Sequence, residues 1–217
     1  LEARMPYAFQ QKEACEAAGM VVPFAYKFLY WVDSDLERMK QACAFGDPIA
    51  IDCEYTIPAA GWTSERVVER IDAARALLVS EGLYWGIYTG AWWWPSNTRN
   101  STMFGGDRLW HAAYPFNSPN KPPVLPPESF LPTEPFEVNY GGWTVANVHQ
   151  YADTCYGDAL GPWDFDMNAA NDAILGPVVP PPAPTPWITA INTEFPAQDR
   201  ARFTVYLSDG SNKVGEV

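Results

Sequence analysis

The sequence predicts an α/β fold in which parallel strands form a sheet and helices cover its outside. Helix-like and strand-like segments alternate along the chain, a rhythm that implies parallel pairing. The run Ile49-Ala50-Ile51 is wholly apolar, as a strand buried on both faces should be. The chain has 217 residues of which 47% are hydrophobic and 18% charged, enough for one substantial core.

Each element has its own signal. Residues 9–18 read as a helix ended by Gly19, and 21–28 (VVPFAYKF) as a strand. Asp33 or Ser34 can cap a helix that runs through Glu37, Arg38 and Met39 to Ala44 and stops at Gly46. Residues 48–54 then form the next strand. Thr63-Ser64-Glu65-Arg66 opens a helix with Val67, Val68, Ile71, Ala74, Leu77 and Leu78 on an apolar face and Gly82 as its stop. Residues 84–89, 109–114 and 145–151 are three further strands.

Two segments break the rhythm. Residues 115–142 carry eight prolines, which predicts a long loop across one rim of the domain, a lid or partner surface. Residues 177–186 form a stiff proline-rich linker that separates a domain at 1–176 from a tail at 187–217. In that tail Arg202-Phe203-Thr204-Val205-Tyr206-Leu207 and the turn Ser208-Asp209-Gly210 start a β-hairpin. The tail is the beginning of a second domain or a strand that pairs with another chain.

Charge and composition exclude several classes. A net charge of −12 and a pI near 4.5 oppose binding to nucleic acid and to anionic membranes. No apolar run reaches the roughly 20 residues of a membrane helix, and the first residues do not read as a signal peptide, so a soluble chain is expected. Cys15, Cys43, Cys53 and Cys155 show no Cys-x-x-Cys pair and no zinc-ligand spacing, and nothing calls for a metal or cofactor. Free buried thiols are the favoured state, with one or two disulfides left open.

The chemistry gathers at Asp52-Cys53-Glu54. Alternation on a strand puts Asp52 and Glu54 on one face and Cys53 on the other, at the carboxyl end where sites in such folds lie. Two close, partly buried carboxyls raise each other's pKa, which is how a glycosidase keeps an acid protonated beside a base. An acidic loop beyond the core would look the same. Aromatic residues make up 15% of the chain, with ten Trp and eleven Tyr, in clusters such as Tyr30-Trp31, Tyr84-Trp85 and Trp92-Trp93-Trp94. Such rings fill cores, and at strand ends they stack on sugars.

The strand ends Phe24-Ala25-Tyr26-Lys27-Phe28, Ile51-Asp52-Cys53-Glu54, Ile87-Tyr88-Thr89, Leu109-Trp110-His111-Ala112-Ala113-Tyr114, Gln150-Tyr151 and Asp166-Met167-Asn168 occur in an order that resembles glycoside hydrolase family 25. These are the lysozyme-type muramidases of phages and bacteria. Over residues 5–175 the resemblance implies an irregular, TIM-like (β/α) barrel that cleaves the N-acetylmuramic acid to N-acetylglucosamine bond of peptidoglycan. It implies Glu54 as proton donor, Asp52 as its acidic neighbour and Asp166 as a further site carboxylate. Asp166 could instead cap a helix over residues 169–174, and Asp164 shares its strand face. Tyr26, Tyr88, Trp110, Tyr114, Gln150 and Tyr151 are the candidate substrate contacts. His111 and His149 alternate away from their site-facing neighbours Trp110 and Gln150.

One departure stands out. The family begins with a strand that carries another site Asp, whereas no Asp precedes Tyr26 here: either the start of the domain is missing, another chain supplies that strand, or the domain is a shortened one with an incomplete barrel. Two functions follow from the resemblance. One is a peptidoglycan hydrolase acting at the bacterial cell wall as an endolysin or virion-associated lysin. The other is an inactive glycan-binding or structural module of a phage particle whose proline-rich loop and tail contact other virion or cell-wall proteins. A hydrolase of another acetamido-sugar polymer, such as chitin, also uses an Asp-x-Glu pair.

Overall fold

The computed structural model describes residues 24–58, 61–115, 132–155 and 165–171, the strands within 188–216, and two helical residues, Glu13 and Ala17. The rest of the helix expected at 9–18, the linker at 177–186 and most of the proline-rich segment lie outside the described residues.

The main body is a six-stranded sheet that curls into a half-barrel. Its strands are β1 (Ala25–Phe28), β2 (Ile49–Asp52), β3 (Tyr84–Gly90), β4 (Leu109–Ala112), β7 (Val148–Cys155) and β8 (Phe165–Ala170). They lie in the order β1-β2-β3-β4-β7-β8, all parallel except β8, which runs against β7. Among the described residues β1 and β8 are the edges of this sheet. Two short strands, β5 (Phe136–Glu137) and β6 (Val145–Ala146), pair with each other.

Helices cover the outer face. The helix α1 (Asp35–Ala42) continues into a 3-10 turn at Cys43–Phe45, and Gly46 ends it at φ 73°, a conformation glycine adopts freely. Neither Asp33 nor Ser34 caps it with a side chain. Asp35 ties the entry turn instead, accepting from the Tyr30 and Val32 backbone N–H groups. The helix α2 (Ser64–Ser80) begins as expected, with Thr63 Oγ1 accepting from Arg66 N at 3.3 Å. A short helix, α3 (Trp94–Thr98), follows β3.

The principal core lies between these helices and the outward side chains of the sheet. Ile49, Ile51, Cys53, Ile87 and Leu109 meet Met39, Val67, Ile71, Ala74 and Leu78 there. Completing this core are Phe136 and Tyr140, from the described end of the proline-rich segment, and Trp143 just beyond it. His111 is buried beneath it, its Nδ1 2.9 Å from the Tyr140 hydroxyl, so the outward face of β4 is covered. Beyond the expected boundaries, Asn147 splits residues 145–151 into two strands by exchanging hydrogen bonds with Leu109.

The inner face carries only a small apolar floor of Ala50, Trp85 and Val148, flanked by Phe24 and Trp110. The sheet register aligns Phe28, Asp52, Tyr88, Trp110 and Val148 in one lateral row, which meets the floor at Val148. The hairpin expected in the tail is present: β10 (Arg202–Leu207) pairs antiparallel with β11 (Asn212–Glu216). A third strand, β9 (Ile188–Glu194), flanks β10. Among the described residues no helix is long and apolar enough to cross a membrane.

Candidate active site

The strands end where the inner face turns polar, and the carboxyl groups collect there. Asp52 is the last residue of β2 and is only 2% exposed. Its Oδ1 is buried with no hydrogen-bond partner. Burial, and then the charge of Glu54, push its carboxyl up to about 9, so it is neutral at physiological pH. Cys53 faces the opposite way into the core and is wholly buried.

Glu54 lies just past β2, half-buried, with Tyr88 beside it. The Tyr88 hydroxyl is 3.2 Å from Glu54 Oε2, 2.5 Å from Gln150 Oε1 and 3.2 Å from the Tyr114 hydroxyl. Tyr114 is also 3.2 Å from Gln150 Oε1. Burial raises the pKa of Glu54; a proton donated by Tyr88 would lower it, and the charge of Asp153 raises it again. Burial pushes both phenols up; for Tyr88 the hydrogen bond with Tyr114 and the nearby charges add to it, while Tyr114 reaches about 12 through burial and the charges of Glu54, Asp153 and Asp166 against a lowering by its hydrogen bond to Tyr88.

Asp166 sits in β8, a strand and not the helix cap that its sequence context allowed. Partial burial, then Asp153 and Glu54, raise its carboxyl to about 6, while a hydrogen bond from the Gln150 side chain lowers it. Because β8 is antiparallel, the start of that strand comes to the mouth that the ends of the others reach. Asp164 lies outside the described residues.

Asp153 was not visible in the sequence pattern. Simple alternation from Gln150 points it outward, but β7 has an irregularity between Gln150 and Ala152. Gln150 pairs with Asn168 and Ala152 with Met167, so one extra residue, Tyr151, is absorbed between them. The slip turns Asp153 toward Glu54 and Asp166, whose carboxyls it affects. The same slip buries Tyr151 in a separate cluster with Ala152 and Met167, away from the Tyr88 network.

Aromatic rings surround the carboxyls. Trp110 packs edge-on against Tyr88 at 4.8 Å and Tyr26 at 6.0 Å, and its Nε1 donates to Asn168 Oδ1 at 2.8 Å. Tyr26 is 55% exposed on β1. Partial burial, then Asp52, Asp166 and Glu54, raise its phenol. Trp92, the first ring of its triplet, is 54% exposed, while Trp93 and Trp94 are core. A side chain on Gly90 would come within 2.2 Å of Trp92 Nε1, so the indole lies over that glycine at the mouth end of β3. Gly90 is two residues beyond Tyr88 and on the same face. Among the described residues no group of three His, Cys, Asp or Glu is arranged to hold a metal ion.

No protein-family model and no curated protein matches this sequence. Solved structures match the fold. A lysozyme from Streptomyces coelicolor superposes with TM-score 0.56 at 17% identity, over 77% of this chain and 74% of that one. A family GH25 lysozyme from Aspergillus fumigatus gives 0.54 at 21% identity, over 76% of each chain. The spore cortex lytic enzyme SleM of Clostridium perfringens gives 0.55 at 15% identity, over 96% of this chain and 82% of that one. A muramidase from Trichobolus zukalii is matched at 24% identity over 58% of this chain and about half of its own length, 51%, with a TM-score of 0.40. The half-barrel is thus the fold of the glycoside hydrolase family 25 lysozymes, as the strand-end residues implied.

Proposed function

We propose that this chain is a peptidoglycan hydrolase that cleaves the bond between N-acetylmuramic acid and N-acetylglucosamine, working at the bacterial cell wall as an endolysin or virion-associated lysin. The observation that carries the reading is the convergence of Glu54, Asp52 and Asp166 on one polar mouth, where Tyr88 and Gln150 link Glu54 to Asp166 and Asp52 lies buried beside Glu54. The fold shared with the lysozymes supports it.

The residues divide the work by environment. Glu54, half-buried and raised, gives its proton to the glycosidic oxygen as the bond from that oxygen to the sugar carbon breaks. The acetamido oxygen of the same sugar then closes on that carbon. Water opens the ring so formed, giving its proton to the Glu54 carboxylate and restoring the acid. Asp52 is neutral and can hold the acetamido group. Asp166 adds negative charge across the mouth. Tyr26, Trp110 and the exposed Trp92 offer faces on which the C–H sides of sugar rings can stack, and Tyr114 and Gln150 offer hydrogen bonds.

Purified peptidoglycan separates the outcomes. This chain should release muramic acid reducing ends and clear a cell-wall suspension, and Glu54→Gln should lose about 100-fold or more of that rate while keeping its fold. Product masses with glucosamine reducing ends would redirect the assignment to another acetamido-sugar hydrolase. A second reading, the inactive glycan-binding module, is favoured by one observation: among the described residues β1 pairs with β2 alone and is an edge of the sheet. Glycan binding without any reducing-end release by the folded chain would establish it.

A further inference from the structure

The Tyr88 hydroxyl has three oxygen neighbours and one proton to give. The shortest contact, 2.5 Å, is to Gln150 Oε1. An amide oxygen cannot donate, so a proton must lie between these two atoms, and only Tyr88 can supply it. Turning the amide over would bring its oxygen to Asp166, which now receives a hydrogen bond from the Gln150 side chain. The orientation of Gln150 is therefore set from both ends. The Tyr114 proton goes to the same amide oxygen or to the Tyr88 oxygen, at 3.2 Å in either case. What remains for Glu54, 3.2 Å away, is a lone pair on Tyr88. That contact is a hydrogen bond only if Glu54 carries the proton.

We propose that Gln150 is a positioning residue: by taking the Tyr88 proton it turns the Tyr88 lone pair toward Glu54, so that Glu54 meets an acceptor and is held in its protonated, proton-giving form. The catalytic meaning of this rests on Glu54 being the general acid. The ordering of protons does not. The other groups that face Glu54 do not compete with it. Asp52 of β2, Asp153 of β7 and Asp166 of β8 bring carboxyls, and Tyr26 of β1 and Tyr114 beyond β4 bring phenols. When ionised, each favours a protonated Glu54 through its negative charge.

A carboxyl titration of Glu54 by carbon-13 NMR tests this on the whole chain without substrate, with Glu54→Gln identifying the signal. Gln150→Leu frees the Tyr88 proton to bond the carboxylate, and the Glu54 midpoint should fall by about one pH unit. Tyr88→Phe should not raise it. A midpoint that stays or rises in Gln150→Leu overturns the proposal. So does a rise in Tyr88→Phe, since that is what losing a donor would produce, and this second variant decides the matter if the first does not fold. With peptidoglycan as substrate, the alkaline limb of kcat/KM should move down with the Glu54 midpoint in Gln150→Leu. A chain that shows the NMR shift but hydrolyses nothing loses the muramidase reading and keeps the positioning role.

Discussion

Asp52 carries the clearest electrostatic cost in the molecule. Its carboxyl is raised to about 9 in the fold, against about 3.9 in an unfolded chain. An acid raised in this way binds its proton more tightly when folded. Below about pH 4 both states hold the proton and nothing is lost. As pH climbs from there toward 9 the unfolded state ionises first, and folding stability falls. Asp52→Asn cannot ionise, so it should match the parent near pH 4 and exceed it by on the order of 3 kcal/mol at pH 7. Urea midpoints for both proteins at the two pH values measure this. A parent that gains stability between pH 4 and pH 7 relative to Asp52→Asn would show that Asp52 is ionised in the fold. At this scale the sequence was a good guide to Asp52 and Glu54, because a carboxyl-bearing strand end is a local pattern. Asp153 was hidden because its direction depends on a slip at Tyr151 that alternation cannot foresee.

Among the elements, β3 ends in a device that couples backbone to a ring. Gly90 leaves room for the Trp92 indole, and any side chain there would collide with it and, at 2.8 Å, with the Ala112 carbonyl oxygen. Gly90→Ala should therefore move the indole and weaken substrate binding much as Trp92→Ala does. We expect KM for soluble peptidoglycan fragments to rise about 5- to 50-fold in both, equivalent to the roughly 1–2 kcal/mol of a lost ring contact, with kcat changed less. Equal KM values in parent and Trp92→Ala would remove Trp92 from the site. The elements themselves were largely legible. Thr63 and Gly82 marked the ends of α2, and the apolar run marked β2. The burial of Phe136, Tyr140 and Trp143 was not legible, since the nearby prolines advertise an irregular backbone while these aromatics, three or four residues apart, do the burying.

At the scale of the whole molecule the sheet separates two jobs. Its outer face holds the helices and nearly all of the apolar packing, and its inner face keeps a thin apolar floor and a polar mouth. The helix–strand rhythm foretold the parallel order of β1 to β4 and β7. It did not foretell the reversal of β8, because a strand shows the same local pattern whichever way it runs beside its neighbour. Cys53 is a free thiol between the two carboxyl-bearing positions, yet it points into the core and is fully enclosed. A thiol reagent can reach it only when the sheet parts from its helices, whereas the half-buried Cys43 needs far less. The labelling rate of Cys53, followed by mass spectrometry, should accordingly fall with the free energy of that opening, and a rate equal to that of Cys43 would mean the core is loose. The protein thus contains its own gauge of breathing, set directly behind the residues that would do the chemistry, and one that needs no added probe group.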